Sequence, residues 1–222
     1  MRETSVCVEC GTFSLDRAGK IPDNYKLDGN IDFLRNRKVK ICMKCGRVYG
    51  EQGEELTKAG KKIYFRDGKF MLVKEINFYY RKEKYGWLSN FWRCWQEVDG
   101  IWYPANEYYY QAEKARERDV YIWISNAPSP YLAMIAGRAL RKNKELVDDW
   151  DSKKVEIMLK GIRAKFKDDK LREKLLKTGD AVLHEDSPTD KFWGKTGKDM
   201  LGKLLMQVRN EIREEELTKQ KE

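Results

Sequence analysis

Glu107, Gln111 and Lys114 stand at i, i+4 and i+7, so a helix through them carries a carboxylate, an amide and an ammonium on one face. The residues around them, from Trp102 to Tyr110, are rich in aromatic rings. Such a group can serve a polar, anionic ligand that also offers a ring for stacking. The same spacing equally suits a solvated helix face with a ladder of ion pairs.

The elements that must position these residues follow from turn and cap chemistry. Asp99-Gly100 marks the turn of a short hairpin, and Pro104 leads from it into the helix of Glu107. Upstream, Ile63–Phe65 and Phe70–Val73 flank Asp67-Gly68 and read as another hairpin. Asn77–Tyr80 reads as a further strand, and Tyr85-Gly86 as a loop. Ser129-Pro130 supplies an N-cap with proline at N1, which opens a helix to about Arg141. Trp150, Val155, Leu159, Ile162 and Phe166 describe an amphipathic helix from about Asp149 to Lys167. Leu171, Leu175 and Leu176 mark a shorter helix stopped by Gly179. Val182–Glu185 reads as a short strand, and Leu201 to Ile212 carry the stripe of a last helix that frays from Glu214. Strands first and helices after predict an α+β fold, mostly helical with a small antiparallel sheet.

At 222 residues the chain is long enough for one domain plus a small module. No apolar run reaches the ~18 residues of a membrane span, and the N-terminus has no apolar core of a signal peptide. A soluble, cytoplasmic protein is expected. The net charge is +9, and residues 1–74 hold 16 Lys and Arg against 10 Asp and Glu. That basic third favours contact with nucleic acid or another polyanion; a basic surface kept for solubility is the alternative.

Cys7-x-x-Cys10 and Cys42-x-x-Cys45 form two knuckles, each followed by glycine. Two such pairs of thiolates supply a closed tetrahedral zinc site that resembles a zinc ribbon; two disulfides or idle thiols are the alternatives. Its expected role is to hold together a module too short to build a core, and no organic cofactor is expected. Cys94 stands alone and reads as a buried structural thiol. His184 is the single histidine, so His-based metal sites and Ser-His-Asp triads are set aside. No phosphate-binding glycine loop stands between a strand and a helix. Acid–base chemistry must therefore rest on carboxylates and lysines.

From Phe78 to Arg209 the chain resembles the NADAR (YbiA-like) family. The resemblance is carried by Tyr85-Gly86-x-Leu88-Ser89-Asn90-Phe91 and by Gly100-x-Trp102-x-Pro104-x-x-Glu107-x-Tyr109-Tyr110-Gln111-Ala112-x-Lys114. Gly137-Arg138, Trp150, Lys165-Phe166, Thr178-Gly179-Asp180-Ala181, Asp190-x-x-Trp193-Gly194 and Leu201-Gly202-x-Leu204-Leu205 continue it in order. It implies an N-glycosidase that cuts the bond between a ribose anomeric carbon and a nitrogen. Two substrate classes go with the family: ADP-ribosyl-guanine in nucleic acid, and phosphorylated ribosylamino-pyrimidine intermediates of riboflavin synthesis. The domains expected are a zinc ribbon with linker at 1–60 and an N-glycosidase domain at 61–222.

The residues make chemical sense of that implication. Glycosidic cleavage puts positive charge on the sugar, which a carboxylate can stabilise, or a carboxylate can activate water. Glu107 is the first candidate and Asp190 the second, one of the pair serving as the acid that protonates the leaving base. Lys114 can hold a phosphate, pair with Glu107, or attack the opened sugar as an imine-forming amine. Trp150 and Trp193 offer stacking planes, or are plain core. Gly86, Asn90, Gln111, Arg138 and Asp180 complete the substrate-binding set, with Asn90 for ribose hydroxyls and Arg138 for a phosphate. Three positions depart from the family: Tyr108 where histidine is usual, Ala105 for threonine, and Asp199 for asparagine. A catalytically silent adaptor for nucleic acid or protein is the alternative from another class.

Overall fold

The computed structural model describes residues 15–20, 26–27, 38–42, 48–49, 61–66 and 69–220, with side chains at 48–49 and from 74 onward. The chain forms two compact units, residues 1–75 with 180–182, and residues 76–179 with 183–222. In the first unit, β1 (Leu15–Lys20), β3 (Lys38–Cys42) and β4 (Val48–Tyr49) make a three-stranded antiparallel sheet. β5 (Lys61–Arg66) pairs antiparallel with β6 (Lys69–Phe78), the predicted hairpin, and β2 (Lys26–Leu27) lies parallel to β6. The side chains of Cys7, Cys10, Cys42 and Cys45, expected to hold zinc, lie outside the described residues; Cys42 enters only as the last backbone position of β3.

The second unit carries a two-stranded hairpin and six helices. β7 (Gln96–Val98) and β8 (Ile101–Tyr103) pair antiparallel. The turn between them puts Asp99 at φ 51° and Gly100 at φ 78°. That left-handed pair is what a tight hairpin needs and what Asp-Gly tolerates. α1 (Asn106–Ala112) follows, then α2 (Arg118–Ser125), α3 (Pro130–Asn143), α4 (Trp150–Lys165), α5 (Asp169–Leu176), β9 (Val182–Glu185) and α6 (Met200–Lys219). Ser129 caps α3 by accepting from the Leu132 N–H at 3.2 Å, with Pro130 at N1. Asp168 caps α5 through the Leu171 N–H at 2.9 Å. Each such cap is worth about 1 kcal/mol.

α1 is short and buried along its whole length, packed on α2, α3 and α4. Tyr103, Tyr108, Tyr109, Ile124, Ala133 and Leu140 make the apolar core against it. The Tyr103 and Tyr109 rings meet edge to face at 5.4 Å. A second layer of Leu171, Leu175, Leu201, Leu204, Leu205 and Val208 is buried on α5 and α6.

Two expectations need correction, and one element is new. Asn77–Tyr80 is no separate strand: Asn77 and Phe78 end β6, and the chain leaves the strand at Tyr79. α6 does not fray at Glu214 but continues to Lys219. Arg172 on α5 holds that last stretch, reaching Glu215 and Glu216 at 2.9 Å each. α2 has no counterpart in the sequence reading; its N-cap, Glu117, makes no capping hydrogen bond. Among the described residues no helix is long and apolar enough to cross a membrane.

Candidate active site

The first turn of α1 is fixed from behind. Its N-cap, Ala105, offers no side-chain acceptor, and the Asn90 carbonyl takes the Glu107 N–H at 3.1 Å instead. Asn106, wholly buried, accepts from Gln96 Nε2 at 3.1 Å and donates to Asn90 Oδ1 at 2.9 Å. Gln96 also donates to the Gly161 carbonyl at 3.3 Å, which ties β7, α1 and α4 together. The contact requires glycine at 161, since a Cβ there would lie 1.9 Å from Asn106 Oδ1. The loop before Asn90 is pinned as well. The buried Lys165 ammonium donates to the carbonyls of Ser89 at 2.8 Å and Leu88 at 3.2 Å. Burial holds that ammonium down to about 8.

On the neighbouring face of α1 the polar residues form a chain. Lys114 Nζ donates to Gln111 Oε1 at 2.6 Å, and Gln111 Nε2 donates to Glu107 Oε1 at 2.7 Å. Lys114 lies beyond the last helical residue, in the turn that follows, and still reaches back. Gln111 sits against bare backbone of α3, where a Cβ on Gly137 would come within 2.0 Å of its Oε1. Glu107 is 5 % exposed, so this is no solvated ladder. Burial raises its carboxyl well above the usual range, against the Gln111 hydrogen bond and the charges of Lys114 and Arg138; Asp190 adds to the rise. Burial likewise lowers the Lys114 ammonium, with Glu107 opposing and Arg141 and Arg138 adding. Each partner thus sits closer to neutrality than it does in water, where a proton can be given or taken near pH 7.

Aromatic rings wall this chain. Lys114 Nζ lies 5.1 Å from the Tyr110 ring centre and 5.5 Å from that of Trp150. Tyr110 packs on Trp150 at 5.2 Å and edge-on to Trp193 at 5.5 Å. Trp150 is buried at the start of α4, whereas Trp193 is half-buried. Asp190 reaches the same place from the loop after β9. One of its oxygens accepts from the Phe192 and Trp193 N–H groups at 2.8 Å each, which fixes the carboxylate. Glu185, at the end of β9, brings a third carboxyl. Its Oε2 is buried with no hydrogen-bond partner among the described residues, and burial, with Asp190, Glu107 and Asp199 adding, pushes the carboxyl up to about 8. Asp199, at the N-cap of α6, bonds His184 Nδ1 at 2.6 Å.

A buried acid close to neutrality, a second carboxylate on a fixed loop and flanking tryptophans can together serve acid–base cleavage of a glycosidic bond. Residues 77–213 match the NADAR domain. The chain belongs to the NADAR family. It is 40% identical over 146 residues to the N-glycosidase Npun_R5314 of Nostoc punctiforme, covering 62% of this chain and 92% of that one. It is 38% identical over 142 residues to the N-glycosidase YbiA of Escherichia coli, with 62% and 88% covered. The NMR structure of Escherichia coli YbiA superposes with a TM-score of 0.59 over 64% of this chain and 86% of that one. A third relative, the riboflavin biosynthesis protein VVA0006 of Vibrio vulnificus, is 35% identical over 153 residues, 65% of this chain and 40% of that one.

Within the NADAR domain, Glu107, Gln111, Lys114, Trp150, Asp190 and Trp193 come together. Arg138 is exposed on α3, near enough for its charge to act on Glu107 and Lys114, with no hydrogen-bond partner among the described residues. Asn90 is engaged elsewhere: its amide lies in the buried network with Asn106 and Met158, and its carbonyl serves the helix. Gly86 is buried in a single 3-10 turn, where a Cβ would meet the Arg81 carbonyl oxygen at 2.4 Å. Asp180 is exposed in the turn between α5 and β9. Tyr108 is buried in the apolar core. Asn106, Gln96, Arg141 and Glu185 escaped the sequence reading. Glu185 ends β9 five residues before Asp190 in the loop that follows, a spacing that carries no signal by itself.

Proposed function

We propose that this chain hydrolyses a ribosyl C–N bond, with ADP-ribosyl-guanine in nucleic acid as its substrate. The N-glycosyl hydrolase class rests on membership of the NADAR family and on the relatives named N-glycosidase. The observation that carries the mechanism is the buried Glu107 carboxyl, hydrogen-bonded at one oxygen only among the described residues and pushed toward neutrality with Asp190 nearby. In this reading Glu107 donates its proton to the leaving nitrogen as the C1′–N bond breaks and its electron pair departs with the base. Asp190, held by two backbone N–H groups, faces the positive charge that develops on the ribose. Water then adds to C1′, and its proton passes to a carboxylate. Gln111 orients Glu107, Lys114 and Arg138 meet the phosphates, and Trp150 and Trp193 flank the ring.

The nucleic-acid substrate is favoured by the basic N-terminal third, with 16 Lys and Arg against 10 Asp and Glu in residues 1–74. Cys7, Cys10, Cys42 and Cys45 are proposed to hold a structural zinc there; chelation should release one zinc per chain. The second reading, phosphorylated ribosylamino-pyrimidines, is favoured by the relative named for riboflavin biosynthesis. Product analysis decides between them: incubation with each substrate should release unmodified guanine-containing nucleic acid and free ADP-ribose from the first. Turnover of the small ribosylamine alone would replace the substrate assignment. Absence of turnover on both, with binding unchanged in Glu107→Ala, would make the chain an adaptor.

A further inference from the structure

The tryptophans of this chain span a wide range of exposure, with Trp92 and Trp193 in the middle of it. Trp87 and Trp150 are buried, while Trp95, Trp102 and Trp123 are 68%, 60% and 64% exposed. Tryptophan carries the largest apolar surface of any side chain, and such exposure gathered in one place marks a binding face. Trp95 and Trp102 belong to the hairpin of β7 and β8: Trp95 precedes Gln96, and Trp102 pairs across the ladder with Glu97. Both rings wall a hollow of about 380 Å³, floored by Pro104 and Tyr108. A neighbouring hollow of about 580 Å³, walled by Trp123, shares Asn126, Ala127 and Pro128 with the first.

The polar groups of the first hollow are few. Arg93 is its single charged lining residue and has no hydrogen-bond or ion-pair partner among the described residues. One N–H of the Asn126 amide goes to the Ile122 carbonyl at 2.8 Å, and its oxygen accepts no hydrogen bond among the described residues. Flat rings, one unneutralised guanidinium and one amide acceptor match a base with a phosphate beside it. They match an aliphatic peptide less well, because no aliphatic side chain larger than proline or alanine lines the hollow.

We infer that the groove of Trp95 and Trp102 is a stacking site for unpaired bases of single-stranded nucleic acid. The inference rests on the nucleic-acid reading of the substrate. Tyr108 lines the groove and is the sequence neighbour of Glu107 in α1. The site would grip flanking nucleotides without reading their sequence, since every base has a face to stack.

The test uses the full chain and a fluorescein-labelled oligothymidylate without ADP-ribose, followed by anisotropy. The Trp95→Ala/Trp102→Ala double variant should bind about tenfold or more weakly. Trp95→Phe/Trp102→Phe should stay near the parent, and Arg93→Gln should flatten the salt dependence. Hydrolysis of a nucleotide-sized ribosyl substrate should be unchanged in all of them. Unaltered oligonucleotide binding in the alanine variant, or none by the parent chain, overturns the inference. So does a dimer in sedimentation that the alanine variant dissolves while oligonucleotide affinity holds, because the face then belongs to a second copy. The substrate reading fails separately: a chain that binds the oligonucleotide through these tryptophans yet leaves ADP-ribosylated DNA intact keeps the groove and loses the substrate.

Discussion

Asn106 and Glu107 are neighbours in α1, both buried, and they use their polar atoms in opposite ways. Asn106 is closed: its oxygen accepts from Gln96, and its nitrogen donates to Asn90 and, at 3.3 Å, to Met158 sulfur. Glu107 is open: Gln111 satisfies one oxygen, and the other has no hydrogen bond among the described residues. A closed polar group buried in a core fixes geometry and can do little else. An open one keeps a bond in reserve for something that is not part of the chain, at a cost in stability. The comparison separates scaffold from chemistry on two consecutive residues.

The largest effect expected is at Glu107. Glu107→Gln keeps the shape and the contact with Gln111 but removes the transferable proton. Turnover should fall about a hundredfold or more. The melting temperature should hold or rise, because a desolvated carboxyl has been replaced by a neutral amide. Normal turnover with a lower melting temperature would reverse the roles assigned to the two residues.

Asn106→Leu is the counterpart. It leaves Asn90 Oδ1 without its donor and removes one of the two acceptors of Gln96 Nε2. Chemical denaturation should show a loss of about 2 to 3 kcal/mol. Activity at low temperature should fall less than in Glu107→Gln. Equal losses of activity in the two variants would show that α1 cannot be divided this way.

What the sequence disclosed follows the same division. The ladder of Glu107, Gln111 and Lys114 was legible because its members are three and four residues apart, within reach of helical period. Even the departure at Lys114, which has left the helix, does not break it. The hairpin turn at Asp99-Gly100 and the cap at Ser129-Pro130 were legible because they are local chemistry. The closed network was not, since Asn106 meets residues 10, 16 and 52 positions away. Glu185 was hidden for a related reason. Its importance comes from Asp190, Glu107 and Asp199 converging on it, and from an absent hydrogen bond that no spacing records. The length of α6 was misjudged because Arg172, more than forty residues earlier, anchors its acidic end.

A smaller effect should come from Gly137→Ala. Its Cβ would stand 2.0 Å from Gln111 Oε1, so the amide must move away from α3. The hydrogen bonds to Glu107 and from Lys114 then lengthen together. We expect about a tenfold loss of kcat with KM little changed, and at most 1 to 3 kcal/mol of stability. A change confined to stability would mean that Gln111 orients nothing.

The smallest effect tests whether a second open carboxyl exists. Glu185 is held up to about 8 by burial first, against the ordinary 4.5. Below the ordinary value both folded and unfolded chains carry the proton, and the group costs nothing. Between the two values the unfolded chain ionises while the folded chain does not, so stability is lost as pH rises toward 8. Glu185→Gln cannot ionise and should lack that slope. Relative to the parent, the variant should gain about 1 kcal/mol or more between pH 5 and pH 8. Any constant cost of the amide cancels in the difference, so the slope alone is diagnostic. Parallel curves would mean that Glu185 ionises freely in the folded chain, leaving Glu107 as the single open acid on this side of α1.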